Sequence, residues 1–146
     1  MIFPYAQYSF YAEKVKGNLG ESAFEKQIVP ASFFLRRMTM NKSDGILTDA
    51  QKLSLQYAAC YIAEMRAAAV AEVTDDSGNM HGGIKTSESN DGYSVSWASG
   101  IQSGETLEEN INRRSAQIAR QYLAGTGLLT RKTRCCCDNE CEYDAL

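Results

Sequence analysis

The chain has 146 residues, of which 44% are hydrophobic and 23% charged, and its formal net charge is −3. This size and balance predict a single ordinary domain rather than a disordered or fibrous chain, and the weak negative charge argues against general affinity for nucleic acid. No apolar run approaches the roughly 20 residues of a membrane span, and the N-terminal segment lacks a signal peptide, so we expect a protein made in the cytosol with no membrane partner.

The first twenty residues are rich in aromatic side chains but show no clean period. We interpret them as an aromatic arm, in part helical, that must lie on another surface to be ordered. Its aromatic residues are Phe3, Tyr5, Tyr8, Phe10 and Tyr11.

Residues 21–39 have the spacing of a helix, with apolar side chains at alternating steps of four and three. Pro30 lies inside this pattern, where it removes a backbone donor and clashes with the preceding turn. Either the helix is kinked at Pro30, or a short turn ends there and the main helix begins with Pro30 at its first position. The second interpretation is favoured. Residues 41–45 have the composition of a loop.

The segment from Thr48 to Val73 contains neither Gly nor Pro and predicts the longest helix, close to 40 Å at about 1.5 Å per residue. Thr48 and Gln51 form a predicted capping box at its start. One apolar stripe follows helical spacing, and further small and apolar residues widen it, so we expect this helix to be surrounded by other elements. The stripe is Leu53, Tyr57, Cys60, Tyr61, Met65 and Ala68, widened by Leu55, Ala58, Ala59, Ile62 and Ala69.

A Ser- and Gly-rich segment follows, and residues 83–98 within it predict a β-hairpin. Alternation of Tyr93, Val95 and Trp97 with small residues is typical of a half-buried strand. Residues 90–92 form a turn signal, and residues 83–89 supply the partner strand. Because an isolated hairpin is marginally stable in water, this one is expected to pack on a neighbouring subunit or partner.

The last predicted helix runs from Thr106 to Ala124, with acidic residues in its first turn and arginines later, which suits the helix dipole. Gly125 is the expected left-handed stop. The fold class is therefore mainly α: a small bundle of three to four helices, with the hairpin inserted before the last long helix. We divide the chain into a helical domain of residues 1–134 and an extended, acidic, cysteine-rich tail of residues 135–146.

Catalytic chemistry has little support in the sequence, and we predict no enzyme, no catalytic residues and no cofactor. The single histidine, His81, lies in a Gly-rich loop, and no phosphate-binding loop is present. Glu64 lies beside the apolar stripe of the long helix and would need a partner, for which Arg36, Arg37 or Arg114 are candidates. We interpret that pair as structural.

The cysteines give one alternative to a purely structural role. Cys60 is predicted to be a small core residue. Cys135, Cys137 and Cys141 are candidate metal ligands, but their crowding and the lack of a nearby histidine differ from the usual zinc spacing. A tail that is disordered or docks on a partner is the favoured interpretation.

Four segments together resemble the head–tail connector, or adaptor, proteins of tailed phages. They are FEKQIVPASFFLRRMT, AACYIAEM, SESNDGYSVSW and RQYLAGTGLLTR, which follow the family's order over residues 5–132. The resemblance implies a helical subunit that assembles into a ring of about twelve copies beneath the portal protein, in the neck of the virion, after synthesis in the host cytoplasm. Such a ring continues the channel for double-stranded DNA without binding it specifically, and it carries the stopper or tail-terminator proteins.

The same resemblance assigns two contact regions. The C-terminal segment is expected to meet the portal through Leu128, Leu129, Arg131, Lys132, Arg134 and Tyr143. The hairpin is expected to face the tail side or a neighbouring subunit through Lys85, Glu88, Asp91, Tyr93, Val95 and Trp97. We further expect the arm, the hairpin and the tail to become ordered only on docking.

The competing interpretation is a small helical binding or regulatory module whose cysteine tail holds a metal. It predicts a discrete monomer or dimer with stoichiometric zinc, whereas the connector interpretation predicts a ring on the portal. The wide apolar helix and the aromatic arm favour the ring, because they exceed the apolar surface that one small monomer is expected to cover.

Overall fold

The computed structural model of the chain describes residues 1–74 and 104–131, together with the backbone of two strands between them. The predicted mainly α fold is confirmed. The helical elements are α1 (Tyr8–Phe10), a π-helical turn (Tyr11–Val15), α2 (Glu21–Met38), a 3-10 turn (Lys42–Asp44), α3 (Asp49–Glu72) and α4 (Leu107–Leu123). In the part of the chain that the structure describes, no helix combines the length and the apolarity needed to cross a membrane.

The two strands are β1 (Ile84–Ser89) and β2 (Ser94–Ala98), and their backbones pair antiparallel. Ile84 lies opposite Ala98, Ser89 lies opposite Ser94, and the register is irregular after Lys85. The side chains of this segment and the connection between the strands lie outside the described residues. The predicted hairpin and its docking role therefore stay predictions.

Helix α3 is the middle of the bundle and packs against α2 and α4. Helix α2 runs antiparallel to it, since Arg66 late in α3 donates to the side chain of Gln27 early in α2 at 3.4 Å, and so does α4. The last turn of α3 meets the early part of α4, where Arg114 pairs with Glu72 at 3.4 Å. Its first turn meets the residues after α4, where the side-chain amide of Gln51 donates to the carbonyl oxygen of Thr126 at 2.8 Å. Residues 39–48 and 124–131 therefore lie at one end of the bundle, which we call the loop end.

The limits of α3 agree with the sequence prediction. Thr48 and Gln51 form the predicted capping box, in which each side chain bonds the backbone N–H of the other residue. Two of the six residues of the predicted apolar stripe do not face the core, since Leu53 is 46% exposed and Ala68 is exposed, whereas Cys60 and Met65 are buried. The fully buried residues come mainly from the widening set, because two neighbouring helices cover α3 on adjacent sides. They are Leu55, Ala58, Ala59, Cys60, Ile62 and Ala63.

Helix α2 passes through Pro30 without interruption, so the favoured prediction of a helix that begins at Pro30 was wrong. The residues on both sides of Pro30 face the core, with Phe24, Ile28, Ala31 and Leu35 all buried. Burial of a large apolar side chain contributes about 1.5–3 kcal/mol. This packing offsets the roughly 3 kcal/mol that an internal proline costs a helix.

The aromatic arm packs on its own chain. Tyr5 and Tyr11 are fully buried, and the ring of Tyr11 stacks on that of Phe24 with centroids 4.7 Å apart. The expectation that the arm becomes ordered only on docking to a partner was therefore wrong, because the arm packs on the helices of its own chain. The predicted ion pair of Glu64 was also wrong, since Glu64 accepts a hydrogen bond from the hydroxyl of Tyr11 at 3.2 Å.

Helix α4 begins with a second capping box, formed by Thr106 and Glu109. It contributes Ile111, Ala119 and Leu123 to the core. The helix ends where Ala124 takes an extended conformation, and Gly125 follows it in the predicted left-handed conformation, at a φ of +75°. The chain then continues along the loop end to Arg131.

Candidate interaction surfaces

Three exposed large apolar side chains come from segments that contact one another near the loop end, and we call them the loop patch: Ile2, Phe33 and Ile46. Their exposed fractions are 83%, 54% and 104%. Isolated exposed apolar residues are normal on protein surfaces, but a group drawn from three separate segments is typical of a contact surface. The loop patch is therefore the first candidate interaction surface.

Contacts between the arm, α2 and the following loop hold the loop patch in place. The N-terminal amino group of Met1 donates to the carbonyl oxygens of Asp44 and Gly45, each at 3.4 Å. The rings of Phe3 and Phe33 lie 4.8 Å apart, and the guanidinium of Arg36 lies 4.4 Å from the centre of the Phe3 ring. Because these contacts are made within the monomer, the patch exists before any partner binds.

A polar network beneath the patch ties the arm to the loop. The hydroxyl of Tyr5 donates to Asp44 at 2.6 Å and lies 2.7 Å from the hydroxyl oxygen of Ser43, and Arg36 pairs with Asp44 at 2.7 Å. The hydrogen bond from Tyr5, followed by that from Arg36, holds the pKa of Asp44 below its usual value. Burial raises the pKa of the Tyr5 hydroxyl above its usual value. The network thus favours the ionised form of Asp44 and the neutral form of Tyr5.

These two shifts predict the dependence of stability on pH. Because the pKa of Asp44 is depressed on folding, its contribution is present above the unfolded value of about 3.9 and is lost as pH falls through the folded value. The raised pKa of Tyr5 has the opposite sign: its contribution is present below about 10 and is lost as pH rises through the folded value. We expect Asp44→Asn to lower the midpoint of urea unfolding at neutral pH, and this difference from the native protein should shrink towards pH 2.

Asp49→Asn is the matched control, because the carboxylate of Asp49 is fully exposed. Its ion pair with Lys52 in the same helix, at 3.6 Å, is a surface pair of the kind that contributes little to stability. The midpoint of urea unfolding of Asp49→Asn is expected to stay close to that of the native protein from neutral pH down to pH 2. An Asp44→Asn curve parallel to the native one would show that Asp44 does not link protonation to folding.

A second surface at the loop end is an open cleft of about 580 Å³ between the end of α2, the outer face of α4 and the segment after α4. Three exposed arginines and an apolar floor define this surface, which we call the arginine cleft. Its main lining residues are Arg37, Met38, Met40, Arg120, Leu129 and Arg131. Within residues 1–74 and 104–131, none of the three arginines forms an ion pair with a carboxylate. The cleft is therefore a basic surface with an apolar floor.

The structure separates the residues predicted to contact the portal. Leu128 is 3% exposed and belongs to the core, so its side chain offers little surface to the portal, and its contact role stays a prediction. Leu129 is half-buried and Arg131 is exposed, and both line the arginine cleft. The remaining predicted contact residues lie outside the described residues: Lys132, Arg134 and Tyr143.

The hairpin and metal predictions concern other parts of the chain that are not described. Of the hairpin contacts, Asp91 and Tyr93 lie outside the described residues, and the side chains of Lys85, Glu88, Val95 and Trp97 do as well. The candidate metal ligands Cys135, Cys137 and Cys141 also lie outside them. In the described part, no group of three or more His, Cys, Asp or Glu side chains is placed to hold a metal ion.

The single core cysteine was predicted correctly. Cys60 is fully buried in α3, and burial raises the pKa of its thiol to about 12. A thiol with such a pKa is protonated at neutral pH and is a poor nucleophile. Cys60 therefore acts as a packing residue.

No protein-family model, no curated protein and no solved structure matches this chain. A functional interpretation therefore has to combine the two surfaces with the sequence motifs. The loop patch was missed from the sequence, because Ile46 is followed directly by Leu47 and no local signal shows that only Leu47 is buried. The arginine cleft had no local signal, because its arginines are far apart in the sequence.

Proposed function

We propose that the chain is a structural subunit of a ring that joins the capsid of a tailed phage to its tail beneath the portal protein. In this proposal the ring continues the DNA channel and carries the stopper or tail-terminator proteins. The subunit has no catalytic role. The proposal starts from the resemblance to connector proteins in four ordered sequence segments.

One structural observation supports the proposal: the segment after α4 lies at the loop end, whereas the described part of α3 ends, on the way to the hairpin segment, at the opposite end of the bundle. The segment with Leu129 and Arg131 lies at the loop end, next to the start of α3. The chain leaves α3 for the hairpin segment after Val73, at the other end of a 24-residue helix that is about 36 Å long. A protein that joins two partners along an axis needs such an arrangement.

The loop patch supports assembly of several copies. A ring is built from heterologous contacts, in which one surface of a subunit meets a different surface of the next. Contacts between identical chains are more apolar than ordinary protein surfaces, and aromatic residues are enriched in them. Ile2, Phe33 and Ile46 match this composition, so we assign the loop patch to the contact between neighbouring subunits.

The charge of the chain is compatible with a channel for DNA. A strongly basic lumen would bind phosphate and slow the passage of DNA, because each phosphate contact releases counterions and adds affinity. The formal net charge of −3 does not favour such binding. The DNA is therefore expected to pass without specific recognition.

The proposal is tested by native mass spectrometry of the purified full chain, alone and mixed with the portal protein of the same phage. We expect a monomer alone and about twelve copies on the portal. The double variant Ile2→Asp/Ile46→Asp should lose the ring, because it places charges in the subunit contact, and its circular dichroism should stay native because both side chains are exposed.

Gln117→Asp is the control, since Gln117 lies on an exposed position of α4 away from the loop patch. It adds a charge and is expected to leave ring formation intact. A fixed small oligomer that holds one zinc ion per chain and does not bind the portal would reject the ring and favour the metal-binding module.

A further inference from the structure

The arginine cleft has the properties of a site for an acidic peptide. Arg37, Arg120 and Arg131 come from three different segments and are brought to one concave surface. Arginine binds carboxylates through two parallel hydrogen bonds, and its charge is retained at any physiological pH. Since none of the three has a carboxylate partner among the described residues, the cleft has unused capacity for anions.

The described chain ends at the edge of this cleft, and an acidic segment follows in the sequence after Lys132 and Arg134. Arg131 lines the cleft and is the last described residue, and fifteen further residues, 132–146, follow it. The last twelve of them contain four carboxylate side chains and no lysine or arginine. These acidic residues are Asp138, Glu140, Glu142 and Asp144.

We propose that the acidic C-terminal tail, residues 135–146, docks in the arginine cleft of its own chain. An extended chain spans at most about 3.5 Å per residue, so the seven residues from Arg131 to Asp138 reach roughly 25 Å, enough to cross a cleft of this size. A short tether also gives the tail an effective concentration in the millimolar range. Weak individual ion pairs are therefore sufficient for docking.

The apolar floor favours the peptide over the phosphates of a nucleic acid. Met38, Met40 and Leu129 line the cleft between the arginines. The tail carries Tyr143 and Leu146 among its acidic residues, and flexible methionines adapt well to such side chains. A phosphate backbone has no apolar group to place there, so duplex DNA is the less suitable occupant.

Docking of the tail goes beyond the ring proposal and does not depend on it. If the ring proposal also holds, the docked tail covers Leu129 and Arg131, which belong to the expected portal contact. The tail would then have to leave the cleft before the portal binds there. The tail thus keeps this contact surface covered in the free subunit.

The test places a spin label on the tail of the full chain and observes the cleft by methyl NMR. In the variant C135S/C136S/C137S, Cys141 is the remaining tail cysteine, and Cys60 is fully buried and is not expected to react with a maleimide nitroxide. We expect the label to cause selective loss of the Met38 and Met40 methyl signals. The loss should disappear at about 1 M salt, where the Debye length is ~3 Å.

Two charge variants show whether the arginines hold the tail. R37Q/R120Q should restore the Met38 and Met40 signals. K14Q/K26Q removes the same charge from exposed helical positions away from the cleft and should leave the loss unchanged. Equal restoration by both pairs would overturn the proposal, because the tail would then respond only to net charge.

Three further outcomes would also overturn it. The methyl signals would be unaffected by the label if the tail does not dock. A loss that grows with protein concentration would place the tail on a second copy instead of its own chain. If a short DNA duplex shifts the Met38 and Met40 methyl signals while the spin label has no effect on them, the cleft binds phosphate groups and not the tail. None of these readouts involves the portal, so failure of the ring leaves this test intact.

Discussion

Replacing Tyr11 with alanine is expected to lower the free energy of unfolding by about 3–5 kcal/mol, the usual cost of removing a large aromatic side chain from a core. The ring is fully buried and stacks on Phe24. The hydroxyl adds to this, because it donates to Glu64 at 3.2 Å and accepts from the backbone N–H of Leu19 at 3.1 Å. Urea unfolding followed by far-UV circular dichroism measures the change.

Two variants separate the contributions of the ring and the hydroxyl. Tyr11→Phe keeps the ring but removes the hydroxyl that bonds Glu64 and the N–H of Leu19. We expect it to lower the free energy of unfolding by about 1–3 kcal/mol. Tyr8→Ala removes a half-buried aromatic ring from the same arm and should cost less than Tyr11→Ala. A Tyr11→Ala variant as stable as the native protein would show that the arm is not part of the core.

The sequence predicted that the aromatic arm must lie on a surface, but it did not reveal which one. The arm has no period that would orient it, and its position depends on contacts with residues far away in the chain. Tyr11 fits against Gly17, where a Cβ atom would overlap its ring, and against Phe24 on α2. Such steric matching is a tertiary property that composition does not contain.

Helix α3 shows how much a pattern can predict. The absence of Gly and Pro, together with the capping box at Thr48, was sufficient to place both ends of the helix. The large share of apolar positions around the circumference of α3 correctly predicted that other helices pack on more than one side of it. The exposure of Leu53 and Ala68 was missed, because it depends on the angles at which α2 and α4 pack, and spacing along one helix does not determine these angles.

The two candidate surfaces were the least predictable features, because each is assembled from distant segments. The residues of the loop patch come from three segments, and the hydrogen bonds of Met1 to Asp44 and Gly45 and the contact of Phe3 with Phe33 bring these segments together. The arginine cleft needs the ends of two helices to meet. A local motif search finds neither surface, whereas the antiparallel order of the helices produces both.

Pro30 gives the second large effect, with the opposite sign. We expect Pro30→Ala to raise the free energy of unfolding by about 2–3 kcal/mol, since proline is roughly 3 kcal/mol less favourable than alanine inside a helix. Pro30 is the tenth residue of the continuous helix α2, well beyond the first turn where proline is tolerated. An alanine restores the backbone donor for the carbonyl oxygen of Lys26 and removes the clash with it.

Glu25→Ala is the matched control, because Glu25 is exposed on the same helix and both residue types are good helix formers. It should change the free energy of unfolding by no more than about 0.5 kcal/mol. A loss of stability in Pro30→Ala would mean that α2 needs the shape that proline imposes in order to pack against α3. The burial of Phe24 and Ile28 before Pro30, and of Ala31 and Leu35 after it, argues against that outcome, since a regular helix already brings all four positions to one face.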